Sequence, residues 1–232
     1  FWLAEEFLDH VQDTIMWPFD KLYDIKYWFN NRFVTKSHAL NSNLKKGQWH
    51  EFDERMLHCL FDELVNFVEI EKAWINVAMD KEAKKRYEPP FWTVGSLRFR
   101  TWRSPEAGMN YLLWEASLKM DDDWVEKGDP RYGQPTGQAL AAKETIELYD
   151  WWKNKRPNRP DPHEVSGWTA LCEKRRSDND DVLDILDEPK TVEEREAIRK
   201  SLDISSDLEK KYEDEDEEML IRLIKIRKSL WT

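Results

Sequence analysis

Glycine and proline are scarce in this chain, with seven and ten among 232 residues, and cysteine is nearly absent, with two. Strong helix formers take the place of turn residues, so helices are expected to dominate. Cys59 and Cys172 are far apart and no Cys-x-x-Cys occurs. A thiolate zinc site or a redox pair is therefore not expected, and the cysteine usage fits a reducing compartment. No apolar run approaches the ~18 residues that a membrane span needs. The phosphate-cradling glycine loops, the Gly-Lys-Ser/Thr loop and the Gly-x-Ser-x-Gly elbow are missing. The five histidines show no zinc-protease spacing. No internal repeat is found. The sequence opens at Phe1, as expected of a fragment, a processed product or the ordered part of a longer chain, and it is silent on a secretory leader.

Charge and tryptophan are abundant instead. Net charge is −11, and residues 173–218 hold 19 acids against 9 bases. Residues 219–232 hold four bases and no acid. The rest of the chain is only mildly acidic, so generic duplex binding is not favoured and nucleic acid is not expected as a partner. Thirteen tryptophans run from Trp2 to Trp231. In an acidic chain they are better suited to filling a helical core or subunit contacts than to stacking bases.

The segment Trp49–Met79 reads as one long helix. Its apolar positions include Phe52, Met56, Leu60, Phe67, Ile70 and Trp74, and they fill about half of a 100° wheel. Asp53, Glu63 and Glu71 fall inside that sector. A carboxylate facing a core must be paired, hydrogen-bonded, protonated or metal-bound. The same pattern recurs from Gln138 to Lys155, where Glu144 lies between Leu140, Leu148 and Trp151. Glu147 and Asp150 fall on the wetter side.

Elsewhere, Trp2 to Met16 is expected to be a helix and Pro18 to open a second one. Leu97 and Phe99 alternate with Arg98 and Arg100, a strand-like period near 94–102. Ser104-Pro105-Glu106 and Asp161-Pro162-His163-Glu164 are capped helix starts. Thr191 and Ser206 each begin a capping-box pattern, so two short helices are expected there. The run EDEDEE at 213–218 is expected to be a solvated helix face or a frayed segment. The last stretch is amphipathic and basic. Leu220, Leu223, Ile224, Ile226, Leu230 and Trp231 are its candidate partner-binding residues, facing protein rather than a membrane.

Two basic pieces sit beside aromatics. Arg98, Arg100 and Arg103 are interleaved with Phe99 and Trp102, and Lys153, Lys155, Arg156 and Arg159 follow Trp151-Trp152. Such pieces bind single strands or phosphate, or they neutralise inward acids. The second use accounts for the acids and the arginines together.

Two resemblances follow from these residues. Glu51-Phe-Asp-Glu54 and Glu147-Leu-Tyr-Asp150 are similar to the Glu-x-x-Glu and Glu-x-x-Asp pairs of the all-α NTP pyrophosphohydrolases of MazG type. That resemblance implies Mg²⁺ and a nucleoside triphosphate substrate. The resemblance assigns the Mg²⁺ to Glu51, Glu54, Glu147 and Asp150. For a hydrolase the inward-facing pattern of the helices makes Glu63, Glu71 and Glu144, with Glu147, the candidate metal ligands, and an arginine of 98–103 holds phosphate. The segments LYDIKYWFNNRF and GQWHEFDERMLHCLFDELVNFVEIEKAW resemble proteins of tailed bacteriophages. This resemblance implies a viral origin, in the infected host's cytoplasm or the virion, and brings no activity with it.

The expectation is therefore a mostly α protein. An irregular helical body spans 1–172 and contains one short extended element. An acidic linker follows at 173–190, then a helical segment at 191–232. The leading functional expectation is a viral accessory or structural protein acting through protein contacts or self-association, without catalysis and without a cofactor. A Mg²⁺-dependent nucleotide hydrolase and a single-strand nucleic-acid binder are the alternatives.

Overall fold

The computed structural model describes residues 2–34, 39–40, 42–90, 102–121, 123–178 and 191–230. The fold is mostly α, with nine α-helices among those residues. The β pairing seen among them is an isolated bridge between Lys119 and Pro135. The extended element expected near 94–102 lies outside the described residues except for Trp102. No helix among them is long and apolar enough to cross a membrane.

Helix α1, Trp2–Phe29, contains Pro18 in its interior and runs into a π turn at Asn30–Val34. Pro18 does not open a second helix, because its fixed φ is already helical and the chain continues with one hydrogen bond fewer. Helix α2, Phe52–Asn66, passes through a π turn, Phe67–Lys72, into α3, Ala73–Met79. These three pieces form the long rod expected from the sequence, starting at Phe52 rather than Trp49. Asp80 caps α4, Lys81–Tyr87, by accepting the Glu82 N–H. Ser104 caps α5, Pro105–Ala116, by accepting the Ala107 N–H.

Contacts divide the chain into two compact units, the first running to Lys143 and the second spanning Glu144–Ser229. The division falls inside α6, Gly137–Asp150. In the first unit α5 packs on the π turn and on α3. Phe67, Val68, Glu69 and Ile70 are buried in succession, so this stretch of the rod is covered on every side. Gly108 permits that cover. A Cβ at 108 would stand 2.0 Å from the Val68 carbonyl oxygen, so no larger residue fits against the rod's backbone. Phe61, Leu64, Val77 and Leu112 complete the interior, each contributing about 1.5–3 kcal/mol of apolar burial.

The second unit begins with the end of α6, which passes into a π turn at Trp151–Lys155 and a 3₁₀ turn at Arg156–Asn158. Helices α7, Pro162–Val165, and α8, Trp168–Asp178, follow. Residue 172, the expected end of the body, lies inside α8, and residues 179–190 lie outside the described set. Helix α9 then runs unbroken from Val192 to Ile226, capped by Thr191, and ends in a 3₁₀ turn at Arg227–Ser229. The expected second start at Ser206 sits within α9, since nothing around it breaks the helix. Helices α7 and α8 pack on α9, and Trp151, Leu148 and Leu223 are buried in this unit.

Candidate functional site

Among the described residues, three of the four buried charged groups of the first unit, Glu69, Lys72 and Glu115, gather around its π turn. Such turns interrupt the regular ladder and recur where side chains must be re-aimed. Here the Glu69 carbonyl oxygen accepts the Ser104 N–H at 2.8 Å, and Asn76 Nδ2 donates to the Ala107 carbonyl at 2.8 Å. The start of α5 is thus tied to the rod at two points. On this frame Lys72 Nζ stands 2.8 Å from Glu115 Oε1. Gln138 Nε2 donates to the same oxygen at 2.6 Å. Lys72 also lies over the rings of Phe67 and Tyr111, 5.1 and 5.2 Å from their centroids. Lys72 and Glu115 are 7% and 3% exposed. Burial, and then the neighbouring Glu115 charge, raise the Tyr111 hydroxyl above its ordinary pKa.

A second pair flanks the first. Glu69, 2% exposed, accepts from Arg103 Nη1 at 2.8 Å, and Arg103 Nη2 reaches Asn66 Oδ1 at 2.5 Å. Arg103 is therefore a carboxylate partner. Arg98 and Arg100 lie outside the described residues. These pairs bury three charges, Lys72, Glu115 and Glu69, while the Arg103 side chain stays 44% exposed, and a buried member left without its partner is costly. Beside them, Met79, Asp80, Arg86, Tyr87, Asn110 and Trp114 help to line an open cleft of about 700 Å³. Asn110 Nδ2 donates to the Tyr87 hydroxyl across it.

In the second unit Arg222 is the centre. Its Nε and Nη2 meet Glu144 at 2.6 and 3.0 Å, and Nη2 also meets Glu147 at 2.5 Å. These hydrogen bonds hold the Glu144 carboxyl below its ordinary pKa and raise that of Arg222. Further along α9, Arg156 pairs with Asp216 at 3.0 Å, and Arg159 with Asp216 and Glu215 at 2.6 and 3.0 Å. Trp151 Nε1 donates to Glu215 Oε1 at 2.7 Å. The Arg159 guanidinium lies over Tyr212, 4.8 Å from its centroid. So the EDEDEE run is not simply a solvated face: Glu215 and Asp216 clamp the basic-aromatic piece that could otherwise hold a single strand.

The structure rearranges the expected acids. Glu63 and Glu71 are only half-buried, and Asp53 and Phe52 are exposed. The deeply buried acids of the rod are Asp62 and Glu69, with Asp62 accepting the Asn43 N–H at 2.7 Å. One wheel fitted across residues 52–75 averages two faces that the π turn offsets, and it rotated the sector away from the true interior. Glu144 is half-buried beside Arg222 and Leu140 is exposed, so the expected Leu140–Glu144 inner face is not formed. Glu147 is largely exposed. Among the described residues no group of three or more His, Cys, Asp or Glu is placed to hold a metal ion. Glu144 and Glu147 converge on a guanidinium.

Sequence reasoning missed Lys72, Glu69 and Glu115. A signal existed: both signs of charge within Phe67–Lys72, where apolar residues leave no wet side, and Glu115 directly after Leu112-Leu113-Trp114. Of the candidate partner-binding residues, Leu223 is buried within the second unit. Leu220, Ile226 and Leu230 are half-buried and Ile224 is exposed, while Trp231 lies outside the described residues. No family model, curated protein or solved structure matches the chain.

Proposed function

We propose that this chain is a viral accessory or structural protein that acts through protein contacts and performs no catalysis. The observation that supports it is helix α1. Every described side chain from His10 to Phe29 is exposed, including Trp17, Phe19, Leu22, Ile25 and Trp28. An apolar surface of this extent marks an interaction site. The arginines and acids suited to chemistry, Arg103, Arg222, Glu144 and Glu69, are engaged with one another. The phage part of the reading, and with it the host cytoplasm or virion, comes from the resemblance of the two segments quoted above.

The test is a photo-crosslinking residue placed at position 22 of α1 or at Lys211 of α9, in cells making the full chain. Position 22 is expected to capture protein and position 211 to capture little. Crosslinks to no protein from position 22, or nucleotide turnover by the purified chain with Mg²⁺, would overturn the reading.

A further inference from the structure

Resting on the reading that α1 is a contact surface, we infer that its partner is α1 of a second copy of this chain, joined as a two-helix coiled coil. The apolar residues of α1 are not merely numerous. Val11, Ile15, Pro18, Leu22, Ile25 and Phe29 follow one another at alternating steps of four and three residues. The same steps lead back through Leu8 to Ala4 in the sequence. That is the spacing of heptad positions a and d, with an apolar residue at each of them. A 3.5-residue period suits packing on another helix, and Met16, Trp17, Tyr23 and Tyr27, exposed at b, c, b and f, lie outside that seam.

Charge placement agrees with this occupant. The acids of the described stretch, Asp20 and Asp24, fall at the outer positions f and c. Asp13, read from the sequence, falls at f as well. From Val11 to Phe29 the positions flanking the seam are held by Gln12, Thr14, Phe19, Lys21, Lys26 and Trp28. Lys21 is bonded to Asp24 at 3.1 Å on its own helix. The two acids with described side chains therefore lie off the seam; in the sequence Glu6, Asp9 and Asp13 take outer positions as well, and Glu5 takes a flanking e position. The acidic surplus disfavours the other apolar hosts: over Trp2–Phe29 six acids face two lysines, a balance that anionic lipid and nucleic acid repel.

Area is also sufficient. Leu22, Ile25 and Trp28 are each more than 60% exposed. Side chains of this size present ~100 Å² or more apiece, so seam and flanks of both copies would bury on the order of 1,000–1,500 Å², the range of a specific interface.

The experiment is sedimentation equilibrium of the full chain over a hundredfold concentration range. The wild type is expected at twice the chain mass. Leu22→Glu and Ile25→Glu are expected at the mass of one chain, with unchanged helical circular dichroism, because both positions are bare in the single copy. Leu22→Ala, which favours helix and cannot break the fold, should raise the dissociation constant at least tenfold, and Asp20→Ala on the far face should leave it within about twofold. A wild type at one chain mass throughout overturns the inference. So does a doubled mass that Leu22→Glu leaves intact, and so does seam-dependent binding of a single copy to phosphatidylglycerol vesicles. If the chain is single yet position 22 still crosslinks a different protein, the contact reading survives and only the second-copy assignment fails. If position 22 crosslinks nothing, both fall.

Discussion

The two units place charge in their interiors on different terms. The first shuts Lys72 and Glu115 away from water almost completely, where the π turn meets α5. The second keeps Arg222, Glu144, Arg156 and Asp216 about a quarter exposed, on helix faces that water still reaches. In the first arrangement attraction is strong and the cost of losing a partner is large. In the second, solvent screens both the attraction and the loss. A buried pair therefore fixes one arrangement of rod and α5, whereas the half-exposed clamps tolerate replacement.

The sharpest break in that contrast is expected at Lys72. Lys72→Met leaves Glu115 buried with only Gln138, and a calorimetric melt is expected to show about 3–5 kcal/mol of lost stability in the first unit. Lys72→Met with Glu115→Leu should recover most of it, because neither charge is then stranded. If the double variant is as unstable as the single one, the pair contributes more than mutual neutralisation. Gly108→Ala comes next. Its Cβ meets the backbone of Val68, which a rotamer change cannot relieve, so roughly 1–3 kcal/mol of destabilisation is expected in the same melt. Gly137→Ala, whose Cβ meets nothing within 4 Å, serves as the neutral control.

In the second unit the effects are smaller. Arg222→Gln is expected to cost about 1 kcal/mol. Because that pair is open to water, 1 M salt should remove much of the difference, where it should leave the Lys72→Met difference standing. The smallest effect is with pH. Glu144 has its carboxyl pKa lowered in the folded chain, chiefly by the hydrogen bond from Arg222. Its contribution is therefore complete above its ordinary value of 4.5 and is lost as pH falls through the folded value. Denaturant melts across that window should slope less in Glu144→Gln than in the wild type. Equal slopes would show that the clamp adds nothing to stability.

Much of the helix content could be read from the residues. Ser104-Pro105, Asp161-Pro162 and Thr191 mark helix starts because a side-chain oxygen, a proline or both satisfy the first turn, and this chemistry is local. Pro18 and Ser206 were misread for the complementary reason. Each is a boundary signal only when the neighbouring residues also stop favouring helix, and here they do not. The buried acids were misassigned by a non-local cause. A π turn changes which faces of the rod line up, and nothing in Phe67–Lys72 alone announces it. The EDEDEE run looked solvated because its partners, Arg156 and Arg159, are about 57 to 60 residues away in sequence.

Composition, caps and apolar spacing by themselves determined that this chain would be helical. Helix propensity and capping depend on residues within a few turns of one another. That α1 runs unbroken through Pro18 and stays bare while Phe67–Ile70 of the rod is enclosed, which acids are buried, and which arginines become their partners were decided only by tertiary packing. Burial and ion pairing depend on which distant segments come together, and one wider helical turn was enough to reassign them.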